Sequence, residues 1–203
     1  MKLYFAPGTC ALACWIAMEW AGADYEVEKI KAYTDPEFLK VNPMGMVPAL
    51  HIGGPRAMTQ ADAILQYIAE SHPEANLGAN PGLENQFEFN ETMAFLTGDF
   101  HPAFWPMFVP ARYTTLKTKE ALDGAKEASF PRIDKVMAHL DGLLEGSDHV
   151  YQNKRSVADA YAFVMARWSV HTPKSYKEYP NLARFMENMK QDPAVQKVLE
   201  LSK

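Results

Sequence analysis

The feature that most constrains this 203-residue chain is a change of pattern near residue 72. Before that point, short segments typical of strands are separated by helical segments. After it, no segment shows the apolar–polar alternation expected of a strand. The pattern predicts a small sheet with helices, followed by an all-helical region. A hydrophobic content of 48% supports a sizeable core, and the length allows one large domain or two small ones.

The first 71 residues predict a βαβ unit followed by a β-hairpin and a helix. Gly22 is typical of a helix C-terminus, and Gly53-Gly54 is typical of a turn between hairpin strands. This order buries a four-stranded mixed sheet under helices and is expected of a thioredoxin-like domain. The predicted segments are a strand at 2–6, a helix at 10–21, a strand at 25–31, a helix at 35–39, strands at 47–52 and 56–59, and a helix at 62–71.

The remainder of the chain predicts only helices. Ser156 and Asp159 have the spacing of a capping box, with Asp where Glu or Gln is usual. Prolines at 102, 106 and 110 interrupt the pattern around them. The predicted helices cover 83–100, 118–144 (with an internal proline at 131), 157–170, 181–190 and 193–201. Because a turn-rich stretch follows residue 71, we expect a first domain at 1–76, a linker at 77–84 and an all-α domain at 85–203.

Composition argues against several function classes. The net charge of −5 gives no reason to expect nucleic acid or an anionic membrane surface as a partner. No apolar run is long enough to span a bilayer, and no secretory signal pattern is present. Cys10 and Cys14 have CxxxC spacing, not the CxxC of dithiol oxidoreductases, and no Cys/His cluster has metal-ligand spacing. We therefore expect a reduced, cytoplasmic protein without a metal site.

Cys10 is the first candidate for sulfur chemistry. It follows Pro7-Gly8-Thr9 and precedes an apolar helical segment, so Thr9 is the predicted N-cap and Cys10 the first helical residue. Free backbone N–H groups and the helix dipole favour negative charge there, and a thiolate would be stabilised. The alternative is that Cys10 is a small buried apolar residue, which is the preferred interpretation for Cys14, one turn further along.

Two further segments would complete a site beside Cys10. A cis bond before Pro48 would direct the backbone N–H and C=O of Val47 towards the Cys10 end, where they could pair with an extended peptide. The alternative is that Pro48 only begins a strand. The run Thr59-Gln60-Ala61-Asp62 precedes a helix whose free N–H groups would bind a carboxylate. A plain N-cap explains the same run.

His101 is the candidate titratable residue of the helical region. It lies next to Pro102 in an aromatic segment. It could donate a hydrogen bond to a sulfur anion or accept a proton from a thiol near neutral pH. A structural histidine is the alternative. The aromatic residues that would line an apolar pocket around it, or fill the core, are Phe100, Phe104, Trp105 and Phe108.

Together these motifs resemble the soluble glutathione transferases, most closely the bacterial beta class, over the whole chain. The Asn-Pro-x-Gly-x-Val-Pro-Ala-Leu run and the Ala-Asp-Ala-Tyr box are jointly specific. The segments that carry the resemblance are Met1-Lys2-Leu3-Tyr4 with Pro7-Gly8 and Cys10, Val41 to Leu50, Thr59-Gln60 with Ala63 to Ala69, His101, and Ser156 to Tyr161.

The resemblance implies a thioredoxin-like N-terminal domain and an all-α C-terminal domain, assembled as a homodimer, with glutathione as co-substrate and no metal. It implies that Cys10 contacts the glutathione sulfur and can form a mixed disulfide with it, and that Val47 pairs with the glutathione backbone. His101 lies near the sulfur, and Cys10 and His101 are the catalytic pair. The implied glutathione-binding residues are Cys10, Met46, Val47, Pro48, Gln60, Ala61, Asp99 and His101.

Several positions depart from the family pattern. Phe5 stands where the beta class often has Tyr, and the hydroxyl is instead on Tyr4, on the opposite face of the strand. Because Tyr4 stands where other classes of the family carry a catalytic Tyr, the resemblance makes it a backup catalytic candidate. Ala94 replaces a family Asn, Pro102 replaces a Lys that often follows the histidine, and Trp15 stands where His is common. The residues expected to line the second-substrate pocket are Trp15, Phe104, Trp105 and Phe108.

The predicted function is transfer of the glutathione thiolate to an electrophilic carbon of an apolar co-substrate. Thiol–disulfide exchange or peroxide reduction through Cys10 is equally natural chemistry. A non-catalytic protein that binds glutathione or an apolar ligand on the same fold is the main alternative, and the changes at Ala94 and Pro102 favour it slightly. A dithiol oxidoreductase that uses Cys10 and Cys14 is a third hypothesis.

Overall fold

The computed structural model describes residues 1–203 and contains one four-stranded sheet, in the order β2-β1-β3-β4. β1 pairs parallel with β2, while the pairs β1–β3 and β3–β4 are antiparallel. The predicted mixed sheet is confirmed, although every strand is shorter than the pattern predicted. The strands are β1 Lys2–Phe5, β2 Glu26–Lys29, β3 Ala49–His51 and β4 Met58–Thr59.

Helices make up most of the remaining chain, and all of the regular structure after β4 is helical. No helix is both long and apolar enough to cross a membrane. The domain boundaries at 76 and 85 stay predictions. The helices are α1 Ala11–Trp20, α2 Pro36–Val41, α3 Ala61–Ser71, α4 Leu83–Phe95, α5 His101–Ala103, α6 Trp105–Phe108, α7 Lys119–Glu127, α8 Phe130–Leu143, α9 Val157–Ala166, α10 Pro180–Gln191 and α11 Pro193–Leu201.

The single helix predicted over 118–144 is wrong, because two helices, α7 and α8, occupy that stretch. The break falls at Ala128-Ser129, and Pro131 lies in the first turn of α8. A proline there removes an N–H group that has no partner within a helix in any case, so the residue starts a helix without disrupting one.

Helix α1 lies at the centre of the molecule. Its residues from Ala11 to Met18 are all buried, as expected of a helix that is apolar on every side. It packs against α3 of the first domain and against α9 and α11 of the helical region. Both domains therefore determine the position of α1.

Polar contacts at the C-terminal end of α1 join the two domains. The indole Nε1 of Trp20 donates to Asp192 Oδ1 at 3.0 Å, and Arg155 Nη2 lies 3.2 Å from Asp192 Oδ2. Lys197 Nζ of α11 lies 2.6 Å from Glu19 Oε1. The carboxylate of Asp192 also caps α11 by accepting from Ala194 N at 2.9 Å. Helix α1 is thus fixed by hydrogen bonds and ion pairs as well as by apolar packing.

Asp159 is a fully buried carboxylate at the start of α9. Its Oδ2 accepts from Ser156 N at 2.8 Å, which is the carboxylate half of the predicted capping box. Its Oδ1 accepts from Val150 N at 2.8 Å, and His149 Nδ1 lies 3.1 Å from Oδ2. The hydrogen bond to Asp159 raises the pKa of His149. One side chain therefore joins α9 to the preceding loop.

Replacement of Asp159 by Ala is expected to lower the free energy of unfolding by roughly 3 kcal/mol, since two buried N–H groups lose their acceptor at about 1–3 kcal/mol each. Chemical denaturation measures the change. The matched control is Asp148→Ala, which removes an exposed carboxylate of the same loop and is expected to change stability by less than about 0.5 kcal/mol. Equal losses in the two variants would contradict the structural role of Asp159.

Candidate active site

Three of the predicted site segments lie at one end of the sheet. Tyr4 of β1 and Thr59 of β4 both stand opposite Ala49 of β3, in antiparallel register. The β1–α1 loop that leads to Cys10, the bond before Pro48 and the start of α3 all lie just beyond this end. The register therefore brings together residues that are far apart in the sequence.

Cys10 begins α1, but as its N-cap and not as its first helical residue. Its backbone has φ −59° and ψ −17°. The predicted N-cap, Thr9, is wrong by one residue, because its hydroxyl donates to Ala6 O at 2.7 Å and caps nothing. The Cys10 thiol is 8% exposed, and its Sγ lies 3.7 Å from Val47 O, in the geometry of a weak S–H donor.

Burial decides the protonation of Cys10. It raises the pKa of the thiol to about 12, and hydrogen bonds from the backbone N–H groups of Cys10 and Ala11 oppose the rise only in part. The expectation that the helix start would stabilise a thiolate is therefore wrong for this state of the protein, because desolvation outweighs the helix terminus. At neutral pH Cys10 is an uncharged donor.

The Val47–Pro48 peptide bond is cis, which decides between the two interpretations that the sequence left open. Val47 O accepts from the Cys10 thiol, while Val47 N–H donates no hydrogen bond within the protein. Both residues are buried, and Met46 beside them is 45% exposed. A backbone donor next to Cys10 is thus left without a partner.

Asn42, which the sequence analysis did not single out, holds the loop before Val47. Its Nδ2 donates to Met46 O at 2.7 Å, and its Oδ1 accepts from Met44 N at 3.1 Å. Gly45 of the same loop has φ +61°, and a Cβ there would lie 2.5 Å from Tyr33 O. The Asn-Pro-x-Gly spacing therefore shapes the backbone that presents Val47.

Gln60 begins α3 in an unusual backbone conformation, with φ 73° and ψ 119°. Its side chain is exposed and forms no hydrogen bond, and no side chain caps the helix. The N–H groups of Ala61 and Asp62 in the first turn are therefore unpaired. Ala61 O accepts from the buried Cys14 thiol at 3.7 Å, which places Cys14 in the α1–α3 core. The start of α3 therefore has the unpaired N–H groups that the predicted anion-binding site requires.

His101 follows a π-helical turn, Leu96–Phe100, that extends α4. Such turns occur often at functional sites. His101 Nδ1 lies 3.0 Å from the hydroxyl of Tyr161 on α9. Burial lowers the pKa of His101 to about 4, so that the imidazole is neutral at pH 7. It can donate or accept a hydrogen bond without carrying charge.

An aromatic cluster, formed by His101, Phe104, Trp105, Phe108 and Trp168, covers this end of the helical region. Ring centroids of Trp168 lie 5.1 Å from His101, 5.6 Å from Phe104 and 5.1 Å from Phe108. Phe104 is fully buried, whereas Trp105 is 39% and Phe108 46% exposed. Of the predicted pocket residues, Trp105 and Phe108 therefore lie at a partly open apolar surface, and Phe104 is buried behind it.

Trp168 joins this aromatic cluster to the loop before Cys10, because its Nε1 donates to Gly8 O at 2.8 Å. Nothing in the sequence indicated that Trp168 would lie at this site. It follows the buried helix α9 in a 3₁₀ turn, Arg167–His171, and no motif distinguishes it from a core tryptophan.

Three other candidates lie apart from these contacts. Trp15 is 2% exposed, packs on Phe5 with ring centroids 5.0 Å apart, and donates from Nε1 to the hydroxyl of Tyr25 at 2.9 Å. It belongs to the core and does not join the aromatic cluster. Tyr4 packs on Phe38 of α2, with ring centroids 5.9 Å apart. Asp99 is exposed and forms no ion pair or hydrogen bond. No group of three or more His, Cys, Asp or Glu side chains is arranged to hold a metal ion.

Comparison with protein families gives two matches that together span most of the chain. Residues 8–71 match the glutathione S-transferase N-terminal domain, and residues 99–201 match the glutathione S-transferase C-terminal domain. Among curated proteins, the chain is 32% identical to glutathione S-transferase GST-4.5 of Xanthomonas campestris pv. campestris, with 98% of each chain covered.

Solved structures give the same result. A sphingomonad glutathione S-transferase complexed with glutathione is 34% identical, with a TM-score of 0.87 and with 100% of this chain and 98% of that chain covered. The beta-class enzyme of Sphingomonas chungbukensis is also 34% identical, with a TM-score of 0.86 and the same coverage.

The strained backbone of Gln60 predicts a stabilising substitution. Gln60→Gly is expected to raise the free energy of unfolding by about 1 kcal/mol, because relief of about 1–3 kcal/mol of strain exceeds the greater chain entropy of glycine. Gln60→Ala keeps the strain and is the matched control. Urea denaturation compares the two variants, and a glycine variant no more stable than the alanine variant would refute the strain.

Proposed function

The chain belongs to the glutathione S-transferase family and is most like its bacterial beta class, and we propose that it transfers the glutathione thiolate to an electrophilic carbon of an apolar co-substrate. The observation that carries the proposal is the meeting of unpaired N–H groups, at Val47 and at the start of α3, with the Cys10 thiol. The N–H groups could donate hydrogen bonds to a short acidic peptide, and Cys10 could contact a sulfur in the middle of that peptide.

Each segment of glutathione would have a hydrogen-bond donor in this site. Val47 would pair with the backbone of the cysteinyl residue, as an added strand pairs with a sheet edge, with Met46 and Pro48 on either side. The N–H groups of Ala61 and Asp62 would hold the γ-glutamyl carboxylate, and Gln60 would contact the same end. Asp99, exposed on the π-helical turn, stays a proposed contact.

The protonation of the two catalytic candidates defines how they would act. Cys10, with a pKa of about 12, and His101, with a pKa of about 4, are both uncharged at neutral pH. Both would therefore stabilise the glutathione thiolate by donating hydrogen bonds to it. The thiol proton leaves to solvent, the thiolate forms a C–S bond, and the electron pair of the broken bond departs with the leaving group.

The aromatic cluster is the proposed site of the second substrate. Its exposed members, Trp105 and Phe108, offer apolar surface beside His101. The pocket is assigned to Trp105, Phe108 and Trp168. Phe104, which is fully buried and packs against Trp168, supports this surface, and Trp15 is left out because it is enclosed in the core. An apolar electrophile bound there would lie between the helical region and the Cys10 loop.

Two accompanying properties are part of the proposal. We propose that the protein is a homodimer, and Leu83 and Phe87, which are 86% and 66% exposed one turn apart on α4, supply apolar surface for a second copy. We also propose a cytoplasmic location, which fits two free cysteines.

Calorimetric titration with glutathione tests the function. Saturable binding at millimolar glutathione or below is expected, and Gln60→Glu should weaken it about tenfold or more, because the new charge repels the γ-glutamyl carboxylate by about 1.4 kcal/mol or more. Gln66→Glu on the same helix is the matched control and should leave binding unchanged. Absence of saturable binding would exclude the proposed function. Binding without turnover of any thiol electrophile or disulfide would favour the non-catalytic alternative.

Cys10→Ala separates the two sulfur reactions. The variant should lose thiol–disulfide exchange completely, since no other thiol lies at the site. Conjugation should persist at about a tenth of the rate, because one hydrogen bond to a charged sulfur contributes about 1.5 kcal/mol. Cys14→Ala is the matched control and should alter neither reaction. Undiminished exchange in Cys10→Ala would show that Cys10 is not the nucleophile.

A further inference from the structure

Tyr161 is the buried last residue of the Ala-Asp-Ala-Tyr box on α9, and the proposed mechanism gives it no role. Its side chain is 1% exposed, and its hydroxyl oxygen lies 3.0 Å from His101 Nδ1. The ring planes of Tyr161 and His101 are nearly perpendicular, at 88°. The contact therefore engages one edge of the imidazole and leaves the Nε2 edge free for another partner.

The proton of the Tyr161 hydroxyl is retained at neutral pH. Burial, and after it the nearby Cys10, raise the pKa of Tyr161 well above its ordinary value. A phenol has one proton to donate. Either Tyr161 donates to an unprotonated Nδ1, or Nδ1–H donates to Tyr161, which then donates elsewhere.

The partners of the Tyr161 hydroxyl distinguish these two arrangements. The side chain is 1% exposed, and the hydroxyl has one hydrogen-bond partner in the protein, His101 Nδ1. If Tyr161 donates to an unprotonated Nδ1, its proton has an acceptor. If Nδ1–H donates instead, the Tyr161 proton is buried with no acceptor, which is unfavourable.

We propose that Tyr161 is a positioning residue, which donates to His101 Nδ1 and thereby fixes the imidazole as an Nε2–H donor for the reacting sulfur. The inference rests on the proposed function for its last step, because the sulfur belongs to bound glutathione. His101 in this form stabilises a thiolate and does not act as the base that removes the thiol proton.

Nitrogen-15 NMR of histidine in the full chain reads the tautomer directly and needs no substrate. His101→Gln assigns the signals. In the unmodified protein, His101 should show a protonated Nε2 and an unprotonated Nδ1. A protonated Nδ1 would overturn the inference, whatever the protein binds. If this tautomer is found but glutathione does not bind, the proposed function fails and the positioning contact stands.

Tyr161→Phe tests the consequence for catalysis. The variant keeps the ring but not the donor, so His101 should populate both tautomers. The value of kcat for conjugation should fall about tenfold, with the KM for glutathione changed less than twofold. Unchanged tautomer and kcat in Tyr161→Phe would refute the positioning role.

The matched control is Tyr151→Phe. Tyr151 is also fully buried, and its hydroxyl donates to Asn85 O and accepts from Asn80 N, both at 3.1 Å. Its loss should reduce stability without changing the His101 tautomer or kcat. If both tyrosine variants lower kcat equally, the effect is one of general destabilisation and the inference is wrong.

Discussion

The burial of α1 between the two domains is the constraint on which the rest of the structure depends. The helix is apolar on all sides from Ala11 to Met18, so it needs α3 on one face and α9 and α11 on the others. The contacts of Trp20 and Glu19 fix its far end, and Cys10 stands at its near end. Because each domain covers only part of α1, neither domain alone would hold Cys10 in this environment.

Burial also determines the chemistry of the site. A helix start favours a thiolate and an exposed histidine titrates near neutrality, but desolvation outweighs both tendencies here. Cys10 keeps its proton and His101 stays neutral. In the proposed mechanism, Cys10 and His101 are therefore uncharged themselves and stabilise the negative charge of the bound thiolate. Two neutral donors need no counter-ion, which fits a position beside an apolar aromatic cluster.

Short sequence patterns predicted well the structural features that depend on the backbone geometry of neighbouring residues. The four-stranded mixed sheet, the β-hairpin and the approximate starts of α1 and α3 follow from turn residues and apolar spacing near each feature. The features that could not be predicted depend on contacts between residues that are far apart in the sequence. Nothing near Trp168 indicates that its indole bonds to Gly8, and Trp15 was placed in the pocket although Tyr25 and Phe5 enclose it. The thiolate expectation at Cys10 failed because its burial depends on distant residues: Cys10 contacts Val47, and the helix that it begins packs against α9, more than a hundred residues away.

The bond between Trp168 and Gly8 has a consequence for how this protein can change its substrate range. The same indole forms part of the aromatic cluster and fixes the carbonyl two residues before Cys10. A substitution that reshapes the apolar surface at this residue also releases the loop that carries the thiol. Under the proposed function, selectivity for the electrophile and placement of the sulfur would therefore be coupled at Trp168. Substitutions at Trp105 or Phe108, which do not touch that loop through a hydrogen bond, leave the two properties free to vary separately.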